Sequence, residues 1–136
     1  MNYFLAKSEP SVYSIDDLAR DRHTTWDGVR NPQALQAIRS MAPGDRVFIY
    51  HSTGESSVVG VAQVASSPRP DPNDPKLTVV GLEFGAKFPE PVTLAEVKQS
   101  GLFGDFALVR QSRLSTMACP DSFVEWIRKR LPGAKI

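Results

Sequence analysis

A chain of 136 residues, 41% hydrophobic and 23% charged, is long enough for one core, too short for two independent ones and too apolar for intrinsic disorder. Its formal charge of +1, from 16 basic and 15 acidic residues, excludes the long basic surfaces that track a nucleic-acid backbone but leaves room for a small, pocket-based contact. The single cysteine, Cys119, excludes an internal disulfide framework and a zinc knuckle and fits a reducing compartment.

The opening "MNYFLAKSEP" does not read as a signal peptide, because Lys7 and Glu9 interrupt its short apolar run. No apolar run approaches the ~18 residues of a membrane span. A soluble cytoplasmic protein without membrane contact is the expectation.

In chain order, "NYFLAK" (2–7) reads as a first strand, and Ser14 with Asp17 three residues on predicts a capped helix over 15–20. "RHTTWDGV" reads as a turn around Gly28. Asn31 as cap and Pro32 at the first helical position open a helix over 32–41, with Ala34, Leu35, Ile38 and Met41 on one face. "RVFIYHS" (46–52) and "SSVVGVAQVASS" (56–67) read as a hairpin across "TGES". "PRPDPNDPK", with four prolines in nine residues, reads as a loop, and 77–88 as a further long strand. Thr93 with Glu96 caps a short helix. "FALVRQSRLS" (106–115) reads as a final strand or tight extended segment. The helix predicted over 119–131 carries Phe123, Trp126 and Ile127 as its apolar stripe, and places Trp126 in the core.

Mostly antiparallel strands with short helices between them, no repeat and no long linker predict one α+β domain over 1–136, built around a curled sheet or small barrel.

Three segments together, "FLAKSEP", "WDGVRNPQALQAIRSMAPGDRVFIYHS" and "LVRQSRLS", resemble the EVE domain family over roughly residues 4–128. That family sits in the PUA-like group, to which the YTH readers of methylated RNA bases are more distantly related. The chain departs from the pattern after "RLS", where it reads "TMACP" in place of a valine and an earlier proline. The resemblance implies a PUA-like pseudobarrel whose cleft accepts one flipped, modified nucleobase. The expected guest is a 5-substituted cytosine in DNA or a modified RNA base. It also implies a non-catalytic reading role without cofactor or metal, and a nuclease or other effector as a partner.

A base-reading pocket needs a flat apolar wall, polar groups at the base edge and a cation for the adjoining phosphate. By its residues alone Trp26 is either a core plug or a pocket wall; the turn before a helix start and the resemblance favour the wall. Val29 falls within the same matched segment. Asn31 is fully explained as a helix cap, yet the helix start it opens offers N–H groups to an anion, and Arg30 is placed to hold a phosphate. Tyr50, His51 and Ser52 end a strand: Tyr50 is core by its pattern and His51 a structural histidine. The resemblance moves Tyr50 toward the cleft as a second aromatic and Ser52 as an edge hydrogen-bonding group, with His51 beside them. Lys7 and Ser8 end the first strand and reach either solvent or that cleft. Arg110 and Arg113 either edge the fold or add positive charge along one rim with Ser115.

The alternatives are a nucleobase- or nucleotide-processing enzyme and a peptide-binding barrel. His23 and His51 are far apart in the sequence and accompanied by no metal-ligand spacing, and no phosphate-binding glycine motif occurs. Cys119 has no base placed beside it by sequence.

Overall fold

The computed structural model describes residues 1–136. Its first half runs β1 (Tyr3–Ser8), α1 (Ile15–Asp21), β2 (His23–Trp26), α2 (Pro32–Arg39), β3 (Arg46–His51) and β4 (Ser57–Val64). The second half runs β5 (Arg69–Asp71), β6 (Asp74–Thr93), α3 (Leu94–Gln99), α4 (Ala107–Arg110), β7 (Thr116–Ala118) and α5 (Asp121–Arg130). The strands form an open, pseudobarrel-like sheet in the order β2-β6-β4-β3-β1-β7, with β5 paired to β6 off that path. This is the α+β, PUA-like architecture expected. No helix is long and apolar enough to cross a membrane.

One pairing is parallel: β1 lies beside β3 with Leu5 opposite Phe48, and all other pairs are antiparallel. A parallel pair needs a long crossover. Residues 9–45, carrying α1, β2 and α2, supply it, and this excursion brings Trp26 and Arg30 alongside the end of β1. The core fills the curl of the sheet, where Phe48 meets Phe123 of α5 edge-on with centroids 5.9 Å apart. Trp126 joins that cluster against Phe103 at 5.6 Å.

The caps are those the sequence predicts. Ser14 and Asp17 form a reciprocal capping box, Asn31 Oδ1 accepts from the N–H groups of Gln33 and Ala34 at 2.9 and 3.1 Å, and Thr93 accepts from Glu96 N.

Four segments differ from the sequence reading. The supposed turn at 22–29 contains β2, whose four residues pair with β6 so that Trp26 faces Val80. Too short to show alternation, this strand exists because β6 offers an edge. The proline-rich loop forms β5, with Pro70 opposite Thr78 on a sheet edge, where a residue without an N–H is tolerated. The strand foreseen over 77–88 runs from Asp74 to Thr93; register shifts against β4 near Val58 and Val61 let so long a strand bend. Segment 106–115 is helical at Ala107–Arg110 rather than extended: Phe106 O accepts from Val109 N and Arg110 N. Its buried Phe106 and Leu108 alternate with half-buried neighbours, which imitates a strand. The last strand is instead Thr116–Ala118, within the departing "TMACP", and Pro120 stands at the N-cap position of α5 without a side-chain cap bond.

Candidate functional site

The sheet is open between β2 at one edge and β1–β7 at the other, and a cleft of about 520 Å³ occupies that seam. Lys7 and Ser8 from the end of β1 and Ser115, just before β7, form one side; Thr24, Thr25 and Trp26 of β2 form the other. The Glu9–Tyr13 turn and the Asp27–Arg30 turn complete it.

Local hydrogen bonds shape both turns. Glu9 O accepts from the N–H groups of Val12 and Tyr13, each at 2.9 Å, and Ser8 Oγ donates to Tyr13 O at 2.6 Å. The turn this folds leaves Val12 75% exposed at the cleft, an apolar side chain the fold itself does not cover. On the opposite wall Gly28 takes a φ of +74°, which a β-carbon would disfavour, so the chain can turn sharply from β2 into α2. Trp26 is half-buried, packed against the core on one part of its surface and lining the cleft with the rest. Val29 packs into the core and also reaches the cleft.

Charges in the cleft balance: Lys7 and Arg30 against Glu9 and Asp27. The Lys7 ammonium donates to Ser112 O at 3.0 Å and lies 5.5 Å from the centroid of the Tyr50 ring; partial burial lowers its pKa. Arg30 is exposed and pairs with no carboxylate. Tyr13 donates to Asp21 Oδ2 at 3.1 Å, and burial is the main cause that raises its phenol pKa.

Of the residues the sequence singled out, Trp26, Val29, Arg30, Lys7 and Ser8 are brought together here. Tyr50, His51 and Ser52 are not. The Tyr50 side chain is buried at 3% exposure and covered by Lys7, so it is part of the core that supports the cleft rather than a second wall. His51 Nε2 accepts the backbone N–H of Ile15 at 3.1 Å, a structural bond. Ser52 continues the pairing beyond β3, its N–H donating to Ser8 O at 3.0 Å and its hydroxyl reaching the same oxygen. Asn31 spends its side-chain oxygen on the α2 cap and lies beyond the cleft, in a shallower depression of about 290 Å³ shared with Arg110 and Arg113. Arg110 pairs with the exposed Asp105 at 3.2 Å.

The sequence reading missed Tyr13, Val12 and Glu9 on one wall and Asp27 on the other. The one available signal was "SEPSVY" itself: exposed Val12 and a tyrosine between a strand end and a capped helix have no partner at any helical or strand spacing.

A family model described as EVE domain matches residues 2–130. Thymocyte nuclear protein 1 of Mus musculus is 34% identical, with 71% of this chain and 55% of that protein covered. The chain thus spans about half the length of the curated relatives it matches. Those relatives are named for the nucleus, which lends no support to the expected cytoplasmic location. Among solved structures, Rpa0253 from Rhodopseudomonas palustris is similar at 34% identity and a TM-score of 0.92, with 100% of this chain and 97% of that one covered. The human THYN1 protein in complex with 5-methylcytosine-containing DNA aligns with a TM-score of 0.88 at 24% identity, covering 99% of this chain and 100% of that one; this likeness concerns the fold. The match over nearly the whole chain, with a fold held in common, makes this chain a member of the EVE domain family.

Proposed function

We propose that this chain binds nucleic acid by taking one nucleobase, flipped from its strand, into the seam cleft, with a 5-substituted cytosine in DNA as the preferred guest. The observation that carries this is Trp26, fixed by the core on one part and bare toward the cleft on the other. A ring held in this way offers a π-face to any base, and stacking of this kind is worth roughly 1–3 kcal/mol per base. Val12 and Val29 give apolar surface to a methyl substituent. Glu9 and Asp27 offer acceptors that suit the amino group on a cytosine edge and do not suit a thymine carbonyl. Arg30 meets the adjoining phosphate, with Lys7 adding charge beside Ser8. The similar human protein, solved with 5-methylcytosine-containing DNA, supports the choice of guest.

We read the domain as a reader without catalysis. The groups that chemistry would call on have other roles here: His51 holds the start of α1, and burial pushes the Cys119 thiol pKa far up, away from thiolate reactivity. One stacked base gives modest affinity, so a nuclease or other effector partner would add both residence and consequence.

The test is a titration at fixed low salt with short oligonucleotides carrying one 5-methylcytosine, one 5-hydroxymethylcytosine or plain cytosine, in DNA and in RNA. Preference for a modified base, lost in Trp26→Ala, is the expected result. Equal weak binding to all of them, untouched by the substitution, would overturn the reading. Turnover of any oligonucleotide would overturn its non-catalytic part.

A further inference from the structure

We infer that one single-stranded flank of the bound base leaves the cleft along the exposed face of α2 and the 110–114 loop, so that this face is a phosphate-binding track. The inference rests on the nucleic-acid reading above and extends it from a base to a polymer.

Continuity is the first observation. Arg30 lines the cleft while Asn31, the next residue, lines the neighbouring depression; Ser115 lines the cleft while Leu114 lines that same depression. Two separate chain segments therefore make the same crossing. Leu114 is shared again with a third depression, of about 370 Å³, which runs against Gln33, Gln36 and Ser40 of α2. The Lys7 ammonium, bonded to Ser112 O at 3.0 Å, ties the loop to the cleft wall.

Charge is the second. The cleft carries two carboxylates, whereas no Asp or Glu lines either depression beyond it. Arg113 has no ion-pair partner, and Arg110 pairs only with the fully exposed Asp105, a pairing that solvent weakens. The cations on this face are thus not consumed by the fold. Beside them, the side chains of Gln33, Gln36 and Gln111 are exposed and make no hydrogen bond within the protein, which leaves them free for phosphate, sugar or base.

Length is the third. Eight residues of α2 span roughly 12 Å at 1.5 Å per residue. A stacked strand advances about 3.4 Å per nucleotide, so the track accommodates roughly three nucleotides beyond the one in the cleft.

The experiment compares a modified cytidine monophosphate with oligonucleotides that carry the same base at one end and extend by one to five nucleotides on the 5′ or the 3′ side. DNA and RNA series separate the two sources of this phosphodiester chemistry. Affinity is expected to climb over about three added nucleotides on one side only and then level off. Arg113→Glu and Gln36→Glu, both at exposed positions, should reduce that climb by about tenfold while leaving the preference for the modified base intact. Arg113→Ala should lower the salt slope of log K by about one. A climb unchanged in both charge variants, with base preference intact, would overturn the track and leave the base reader standing. Absence of any base preference in the unaltered protein would overturn the base reader and the track with it. Competition by an acidic peptide that equals the longest oligonucleotide would overturn the track in favour of a protein partner.

Discussion

The Nε2 of His51, at the end of β3, accepts a hydrogen bond of 3.1 Å from the backbone N–H of Ile15, the first residue of α1. Only a neutral imidazole has that lone pair to offer. The bond fastens the start of α1, and with it the Glu9–Tyr13 turn that walls the cleft, to the sheet.

Burial is the main cause that holds the His51 pKa below its ordinary value near 6.5; Lys87 adds to the shift and Asp16 opposes it. A depressed histidine pKa means that the unfolded chain binds the proton more readily. Stability from this group is therefore complete above about pH 6.5 and is lost as pH falls toward the lower folded value. Melting curves between about pH 7.5 and about pH 5 should show a fall in Tm that is smaller in His51→Gln, whose amide oxygen can accept the same bond without titrating. Coincident pH profiles would contradict the role of this bond.

Trp26→Ala should remain folded by circular dichroism, because the ring is only partly packed on the core. Its affinity for a modified oligonucleotide should drop by about 5- to 150-fold, the equivalent of roughly 1–3 kcal/mol of lost stacking. Trp26→Phe should fall between the two. An unfolded alanine variant would return Trp26 to the role of core plug.

Tyr50→Phe separates support from contact. The ring is buried under Lys7 and does not reach the cleft, so base affinity should be unchanged and stability should shift by about 1 kcal/mol at most through the lost hydroxyl. Tyr50→Ala, by contrast, should destabilise by roughly 3–5 kcal/mol in chemical denaturation. A loss of affinity in the stable phenylalanine variant would put Tyr50 back in the site.

Gly60 sets how closely α1 approaches the sheet. A β-carbon there would lie 2.6 Å from Ala86 O and 2.7 Å from Ile15 Cδ1, so Gly60→Ala must push strand and helix apart. A destabilisation of roughly 1–3 kcal/mol is expected. Gly104→Ala, where nothing lies within 4 Å, is the control and should be nearly neutral.

Thr116 is fully buried, and its Oγ1 has no hydrogen-bond partner. Replacing an unsatisfied hydroxyl by a methyl of the same shape removes a desolvation penalty, so Thr116→Val should raise the unfolding free energy by about 1 kcal/mol. A loss of stability would mean that the hydroxyl is bonded to something in solution.

Much of the scaffold was legible in the residues. The caps at Ser14, Asn31 and Thr93 act within three residues of themselves, and the apolar, β-branched runs of 46–52 and 56–67 with turn residues between them read directly as a hairpin. That Trp26 and Arg30 would lie near Lys7 and Ser8 was legible because the two matched segments that contain them, "FLAKSEP" and "WDGVRN", resemble one family pattern, and the four do line one cleft. What misled was adjacency. Tyr50, His51 and Ser52 sit together in the chain, but the strand they end delivers one to the core, one to the start of α1 and one to the pairing with Ser8.

By itself, the sequence determined the caps of α1, α2 and α3, the strands β1, β3 and β4, and the placing of an aromatic and an arginine on either side of one sharp turn. Only the tertiary structure decided that β1 lies parallel to β3, that the sheet stays open between β2 and β7, and that Tyr13, Val12 and Glu9 face Trp26 across that seam. The physical reason is range. Caps, turns and strand faces follow from forces among residues a few positions apart. A cleft between sheet edges depends on a crossover of some thirty-seven residues and on which edge each short strand finds, and that pairing is settled by burial of the whole core.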